Sequence, residues 1–278
     1  MQKLRGLSLS LALLSALTAK SAQAQLVAAP VDSASAHRTP TQRDVARMLF
    51  SSDTVKRVDG LRMAQMVRPQ YASSDLRFGL VFALSREAAD YQSRLRASRL
   101  AGSGAVKVGR PVSKVHDQLL TAVVALNDSI SIPALANSLG TGMTPIRALV
   151  GFGQGATVST LRVTNASTSE HEQVADGLLT LRLMVDNATH KPLTAAIRTR
   201  IHDAATSRLS GTQSLDVLLR AIDLAIALGD GELRQTVAVL AANRDEVQRR
   251  GIQSASQIDQ VQARAHDRLA GIPAQPRS

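Results

Sequence analysis

The sequence predicts an all-α protein of stacked antiparallel helix pairs, an α-solenoid with irregular repeats. Three observations predict it. Apolar residues recur at i, i+3 and i+4 along most of the chain. Capping residues, glycines and prolines punctuate those stripes at helix-length intervals. The stripes are too broad for isolated helices to bury, whereas serially stacked pairs cover one another.

The first 24 residues read as an export signal rather than as structure. Lys3 and Arg5 give a positive start, Leu7 to Leu17 an apolar core, and Ala22-Gln23-Ala24 the small residues of a cleavage site. The expected cut follows Ala24; the alternative is an uncleaved N-terminal anchor. Leu7 to Leu17 and the later run Leu119 to Leu126 are both short against the ~20 residues of a membrane span. A periplasmic or secreted location is therefore expected.

The chain has no cysteine, which excludes disulfides, a lipid-modified cysteine and a thiol nucleophile. Its length after residue 24 is enough to bury a core without cross-links. The formal charge is +11, and removing Lys3, Arg5 and Lys20, three cations and no acid, lowers it to +8. That balance favours acidic partners: an anionic polymer, lipid headgroups or an acidic protein. Nucleic acid is not expected, because an exported chain seldom meets it and only two Tyr, four Phe and no Trp are present to stack on bases. Arginine greatly outnumbers lysine, which reads as genomic base composition.

Residues 25–38 read as a flexible linker rich in Ala, Ser, Pro and Val. An N-terminal helical part follows over 39–100, then a connecting loop at 101–112 with Gly102-Ser103-Gly104 and Gly109-Arg110-Pro111. A C-terminal helical part covers 113–272, and 273–278 is a frayed tail. The first helix is expected to start with Thr39 as cap, Pro40 in the first turn and Gln42 closing the box.

Leu80, Leu84, Ala88, Tyr91 and Leu95 form one stripe, with Arg86, Asp90 and Arg94 spaced for i,i+4 pairing on the other side. Val174, Leu178, Leu181 and Val185 form a second, widened by Leu179 and Leu183, which predicts a helix packed on both sides. Ser169 and Glu172 have capping-box spacing at its start. Leu215, Leu218, Leu219, Ile222 and Ile226 form a third, opposite Asp216, Arg220 and Asp223, and Gly229 ends it. Thr157 to Val163 is rich in β-formers, but no partner strand is visible, so a helix is expected there.

Ala125-Leu126-Asn127-Asp128-Ser129-Ile130-Ser131-Ile132-Pro133-Ala134-Leu135, followed by Ile146-Arg147-Ala148-Leu149-Val150-Gly151, resembles one unit of a HEAT-like repeat of the bacterial short form, also called the phycobilisome-lyase type. The match is good over 118–153 and looser elsewhere: Asp75-Leu76-Arg77 into Ala83-Leu84, Glu232-Leu233-Arg234 into Leu240, and Lys191-Pro192-Leu193. The helices after Ser169 are longer than that form uses. The resemblance implies a scaffold that binds other proteins, with structural rather than catalytic matched residues. It also implies an arginine near the start of the second helix bonding carbonyls of the neighbouring unit.

Reactive motifs lack their contexts. Gly151-Phe152-Gly153-Gln154-Gly155-Ala156 has Gly-x-Gly-x-x-Ala spacing, with Glu170 and Glu172 downstream, but no strand precedes it, so it reads as a turn. Glu170-His171-Glu172 cannot converge on a metal, because neighbours on a helix point about 100° apart. His190 and His202 share no helical face; His37, His116 and His266 read as surface or hydrogen-bonded histidines. Asn127, Asn165 and Asn187 begin N-glycosylation sequons but sit at expected helix ends, where Asn is an ordinary turn residue. Arg244, Arg249, Arg250, Arg264 and Arg268 make the C-terminal end basic, diluted by Asp245, Glu246, Asp259 and Asp267.

No catalytic, cofactor or metal residue is assigned. The leading expectation is a non-enzymatic interaction scaffold with a protein partner. The alternative is a basic binder of an anionic envelope polymer or a membrane surface. A hydrolase assembled from separated residues would need Ser or Asp within reach of His202 or His171 in a concave pocket.

Overall fold

Local chemistry sets where each helix starts. A computed structural model describes residues 39–100, 112–188 and 190–271. The expected signal (1–24), linker (25–38) and tail (273–278), most of the 101–112 loop, and His37 lie outside them. The first helix, α1 (Gln42–Phe50), is capped by Thr41, with Asp44 closing the box at its third position. The start expected at Thr39 is thus two residues early: Asp44 returns a carboxylate to the Thr41 N–H, which Gln42 is too close to do. Asp53 caps α2 (Thr54–Gln65), a 3₁₀ turn spans Pro69–Tyr71, and α3 (Ser74–Leu100) follows.

After residue 112 come α4 (Lys114–Leu126), a 3₁₀ turn at Ser129–Ser131, α5 (Ile132–Asn137) and α6 (Met143–Phe152). The remaining helices are α7 (Gln154–Asn165), α8 (His171–Asp186), α9 (Ala195–Ser210), α10 (Leu215–Leu228), α11 (Gly231–Ala242), α12 (Arg244–Arg249) and α13 (Ala255–Ala270). No strand occurs among the described residues, and Thr157 to Val163 is helix as expected.

Cross-links between helices give their directions. The Ser73 N–H donates to Gln42 Oε1 at 2.7 Å, while Phe50 stacks on Phe78 and Phe82, so α1 and α3 run parallel. Thr157 faces Met184 and Thr164 faces Gly177, so α7 and α8 are antiparallel. The Thr194 N–H reaches Gln154 Oε1 at 3.0 Å and Arg208 reaches the Thr164 carbonyl, so α7 and α9 are parallel. Arg198 at the start of α9 holds the Leu228 carbonyl at the end of α10, at 3.0 Å. Alternating direction, with next-but-one helices parallel, is the stacking of helical repeats.

The expected α3 and α8 stripes are core, whereas on α10 only Leu218 and Ile222 of the expected five are buried: Leu215, Leu219 and Ile226 are half-buried, and Val217, Leu224 and Leu228 fill the core face instead. Leu80, Leu84, Ala88, Tyr91 and Leu95 are buried on α3, as are Val174, Leu178, Leu181 and Val185 on α8. As its width predicts, α8 packs on more than one side, against α6, α7 and α10. Gly177 permits the closest approach: a Cβ there would meet Thr164 Oγ1 at 2.3 Å. Gly229 ends α10 in the left-handed conformation, as expected. One hydrophobic cluster runs from Val45 on α1 to Ala265 on α13.

Four local expectations are corrected. The α8 capping box is Glu170 with Gln173, one residue later than Ser169 with Glu172. On α3, Arg94 Nε donates to the Asp90 backbone carbonyl at 3.3 Å and Arg86 Nη1 to the Ser51 carbonyl at 3.4 Å, in place of side-chain pairing. Arg147 is exposed and makes no hydrogen bond or ion pair among the described residues. Its expected task is done elsewhere, by Arg57 on Ser51 and Ser52, Arg198 on Leu228, Arg208 on Thr164 and Arg250 on Leu209. Each of these guanidiniums satisfies a carbonyl in or just past the last turn of a helix, one of the groups that lack intrahelical partners. The arginine excess therefore has a structural use, beyond base composition.

Candidate functional site

The glycine motif at 151–156 forms the joint between two helices. Gly151 lies in α6, Gly153 turns the chain with φ +58°, and Gly155 lies in α7. Lys191 Nζ donates to the Gly151 carbonyl, so a cation closes the end of α6. Among the described residues no three His, Asp or Glu side chains converge as a metal site. His171 and His266 are exposed, and His190 lies in the turn before α9. Asn127 and Asn187 cap the ends of α4 and α8, and Asn165 is the last residue of α7. These are helix ends, as expected; Thr189 of the third sequon lies outside the described residues.

Two described histidines have an acid within 4 Å, His116 with Asp117 at 3.8 Å, beyond hydrogen-bond distance, and His202 with Asp203 at 3.8 Å and Asp230 nearer; His202 lines a hollow. Its Nε2 lies 3.4 Å from Asp230 Oδ1, and both line an open hollow of about 490 Å³ with Arg198, Thr199, Leu228 and Gly229. Asp230 is already the cap of α11, accepting from Glu232 N at 2.9 Å and Leu233 N at 3.1 Å. Those bonds, Leu233 first, hold its carboxyl below the usual range. The hydroxyl lining the hollow is Thr199, which donates to the Ala195 carbonyl at 3.1 Å. The His–Asp pair therefore faces a hydroxyl whose proton is engaged by its own helix.

His116 corrects the expectation of a surface or satisfied histidine. It is 1% exposed, and neither ring nitrogen has a hydrogen-bond partner. Its backbone N–H donates to Ser113 Oγ, which donates to Glu87 Oε2, while Glu87 Oε1 lies 3.4 Å from Arg57 Nη2. Burial lowers the imidazole pKa from the ordinary 6.5, against the raising pull of Asp117 and Glu87.

Asp223 overturns another expectation. Expected on the polar face of α10, it is 3% exposed, and receives Arg264 Nη2 and Arg268 Nε of α13 at 2.7 Å each. The other C-terminal arginines are also paired: Arg244 with Asp259 at 2.5 Å, and Arg249 and Arg250 with Glu246 at 2.6 and 3.4 Å. The five cations that make this end basic on paper all hold carboxylates.

Exposed apolar residues are scattered along the chain (Ile130, Met143, Val158 and Val239 among them), but the exposed phenylalanines cluster at its other end. Phe50, Phe78 and Phe82 are 36%, 52% and 42% exposed and form one cluster, with Phe50 ring centroids 5.9 Å from Phe78 and 5.0 Å from Phe82. Three of the four phenylalanines of the protein thus share one surface. Phe78 and Phe82 are two residues off Leu80 and Leu84, about 200° round the helix from the buried stripe.

Farther along the same face of α3, Ala89, Gln92 and Arg96 line a cavity of about 340 Å³ closed by Asn137, Arg162 and Gln173. Arg96 Nε binds Glu170 Oε1 at 3.0 Å and its Nη2 binds the Thr168 carbonyl at 2.6 Å. Arg162 Nη2 reaches Asn137 Oδ1 at 3.3 Å. Gln92 is 7% exposed; its Nε2 donates to the Leu139 carbonyl at 3.3 Å and its Oε1 has no partner.

No protein-family model matches the chain, and neither a curated protein nor a solved structure does.

Proposed function

We propose that this chain is an exported, HEAT-like helical protein that works without a catalytic centre as a scaffold for another protein. The carrying observation is the exposed Phe50–Phe78–Phe82 cluster on α1 and α3. Aromatic side chains in a cluster are the residues that dominate protein–protein recognition, and exposed apolar clusters mark such surfaces. The arginines on the same two helices are engaged within the fold, Arg47 with Asp44 at 3.4 Å, Arg43 with Asp75 at 3.9 Å and Arg86 on the Ser51 carbonyl, so the fitting partner is a segment with apolar anchors. Export rests on the signal-like residues 1–24, and the HEAT-like reading on the residues around Asp128, which caps the 3₁₀ turn before α5 and takes Arg77 at 2.9 Å.

The anionic-polymer reading has less support, because the C-terminal arginines already hold carboxylates. The hydrolase reading gains the acid it required, Asp230 at 3.4 Å from His202 in an open hollow, but the hydroxyl lining that hollow, Thr199, is engaged by its own helix, so it has less support than the scaffold reading.

The test compares cross-linked pull-downs by the wild-type chain and by a Phe78→Ser/Phe82→Ser variant, with retention on anionic vesicles in parallel. The reading expects a protein captured by the wild type and lost with the variant, while vesicle retention stays weak and insensitive to the substitutions. Capture unaffected by the variant, or tight vesicle binding that the variant abolishes, would overturn it.

A further inference from the structure

We infer that His116 is an acid-sensitive switch on the aromatic surface: a proton on its buried ring draws Glu87 away from Arg57, the residue that holds the end of α1 at Phe50. This rests on the scaffold reading and supplies the regulation of the surface proposed there.

Three helices meet at the ring. His116 lies in the first turn of α4, buried, with neither ring nitrogen bonded. Glu87 of α3 is the buried acid that acts on it, and Arg57 of α2 is the buried cation on that acid. On α4 itself Asp117 and Lys114 are exposed, with Asp117 Oδ1 3.8 Å from His116 Nδ1. The other elements against α4 bring Arg147 of α6 and Tyr71 of the first 3₁₀ turn, both exposed, while Arg77 and Asp128 pair at the far end of the helix.

With His116 neutral, one buried anion, Glu87, balances one buried cation, Arg57. A proton on the ring sets two cations on that carboxylate and turns both ring nitrogens into donors. Asp117 is placed to answer Nδ1. The other nitrogen and the buried charge fall to Glu87. A buried cation without a partner is far costlier than a neutral ring, so the cluster rearranges rather than leaving it unpaired. The position adds to the demand, because the positive end of the α4 macrodipole disfavours a cation in its first turn.

Glu87 is loosely held. Its Oε2 accepts from Ser113 Oγ at 3.2 Å and its Oε1 lies 3.4 Å from Arg57 Nη2, both long for bonds to a charged group. What depends on it is the corner after α1. Arg57 Nη1 donates to the Ser51 carbonyl at 3.0 Å and to the Ser52 carbonyl at 2.8 Å, immediately after Phe50. Once Glu87 is shared, the buried guanidinium loses its counter-ion and moves toward water, and the carbonyls that it holds follow. Phe50 then changes its packing on Phe78 and Phe82.

The experiment uses the full mature chain made with 4-fluorophenylalanine. Its four phenylalanines give four fluorine NMR signals, assigned with single Phe→Tyr variants, and Phe152 on α6 serves as the internal reference. The inference expects the Phe50 signal to shift along a one-proton curve between pH 7.5 and pH 5 while Phe152 stays in place. His116→Leu should hold Phe50 at its neutral position throughout, and Glu87→Gln should put it at the acid position already at pH 7.5. A Phe50 signal that does not move, one that moves equally in His116→Leu, or one left in place by Glu87→Gln would overturn the inference. So would four signals collapsing together, because global unfolding would then be the whole effect. The readout needs no partner, so it fails separately from the scaffold reading. A partner captured through Phe78 and Phe82 should be released by the wild type at pH 5 and kept by His116→Leu; retention by both would overturn the switch and leave the docking surface standing.

Discussion

At the α10–α13 contact, charge is turned inward: Asp223 is buried and clamps two arginines of the last helix. At the α1–α3 contact, the aromatic rings are turned outward, in a protein that has only four Phe and two Tyr. Composition alone suggests the reverse, a strongly basic, aromatic-poor chain that recognises partners by charge. The comparison teaches that placement outweighs abundance. The plentiful arginines close helix ends and neutralise carboxylates, while three of the four phenylalanines stand exposed in one cluster.

The comparison breaks most readily at Asp223. Replacing Arg264 and Arg268 together by Met strands a buried carboxylate, with only Arg220 Nη1 near at 3.9 Å. The expected loss is about 3–5 kcal/mol in urea unfolding. Adding Asp223→Leu should recover most of that loss, because an apolar trio can replace a buried ion cluster. A small loss in the double variant would mean that the charges are solvated and the inward-turned end is an exposed basic face after all.

Gly177→Ala tests the tight α7–α8 contact beneath the same region. The new methyl meets Thr164, whose hydroxyl is held on the Thr160 carbonyl at 2.8 Å. The expected cost is about 1–3 kcal/mol, read as a lowered melting temperature.

His116 gives the N-terminal half a pH dependence. Burial depresses its folded pKa below the ordinary 6.5, so the unfolded chain takes up the proton first. The stability it allows is fully present above about pH 6.5 and is lost as pH falls through the folded pKa. His116→Leu should remove that slope from a series of melts below pH 6.5, and leave stability at pH 7 unchanged or higher because two unpartnered nitrogens disappear. A slope unchanged in the variant assigns the acid loss to other groups.

The smallest effect is expected at the aromatic surface. Phe82→Ser should cost below about 1 kcal/mol, since the ring is 42% exposed, against about 2–5 kcal/mol for Leu218→Ala on α10. Urea midpoints of the two variants check this ordering. A comparable loss at Phe82 would make the cluster part of the core rather than a surface kept open.

Much of the fold was legible because a stripe on one helix is a local property. The α3 and α8 stripes and the Gly229 stop needed no tertiary information; the α10 stripe was legible only at Leu218 and Ile222, because packing on two sides turns Val217, Leu224 and Leu228 inward. Cap positions slipped by one or two residues, at Thr41 and Glu170, because several Ser, Thr and Glu side chains compete within one turn. Asp223 was misread because the helix that covers it arrives some forty residues later; Arg264 and Arg268, four apart on α13, were the readable counterpart. His116 had a visible signal too, since it falls at i−3, i−4 and i−7 from Leu119, Leu120 and Val123 on the apolar face of α4. The aromatic cluster was half legible: Phe78 and Phe82 lie opposite the α3 stripe, but only the fold brings Phe50 to them. The cavity on Gln92 needed three elements distant in sequence and had no local signature.

The central claim is that recognition happens at α1 and α3 and not at the C-terminal arginines. A photoreactive phenylalanine placed at position 82 in one sample and at position 249 in another tests it directly, by irradiation in extract containing the native partner. Covalent capture of a protein from position 82 alone is the expected result. Capture from position 249 alone would contradict the account.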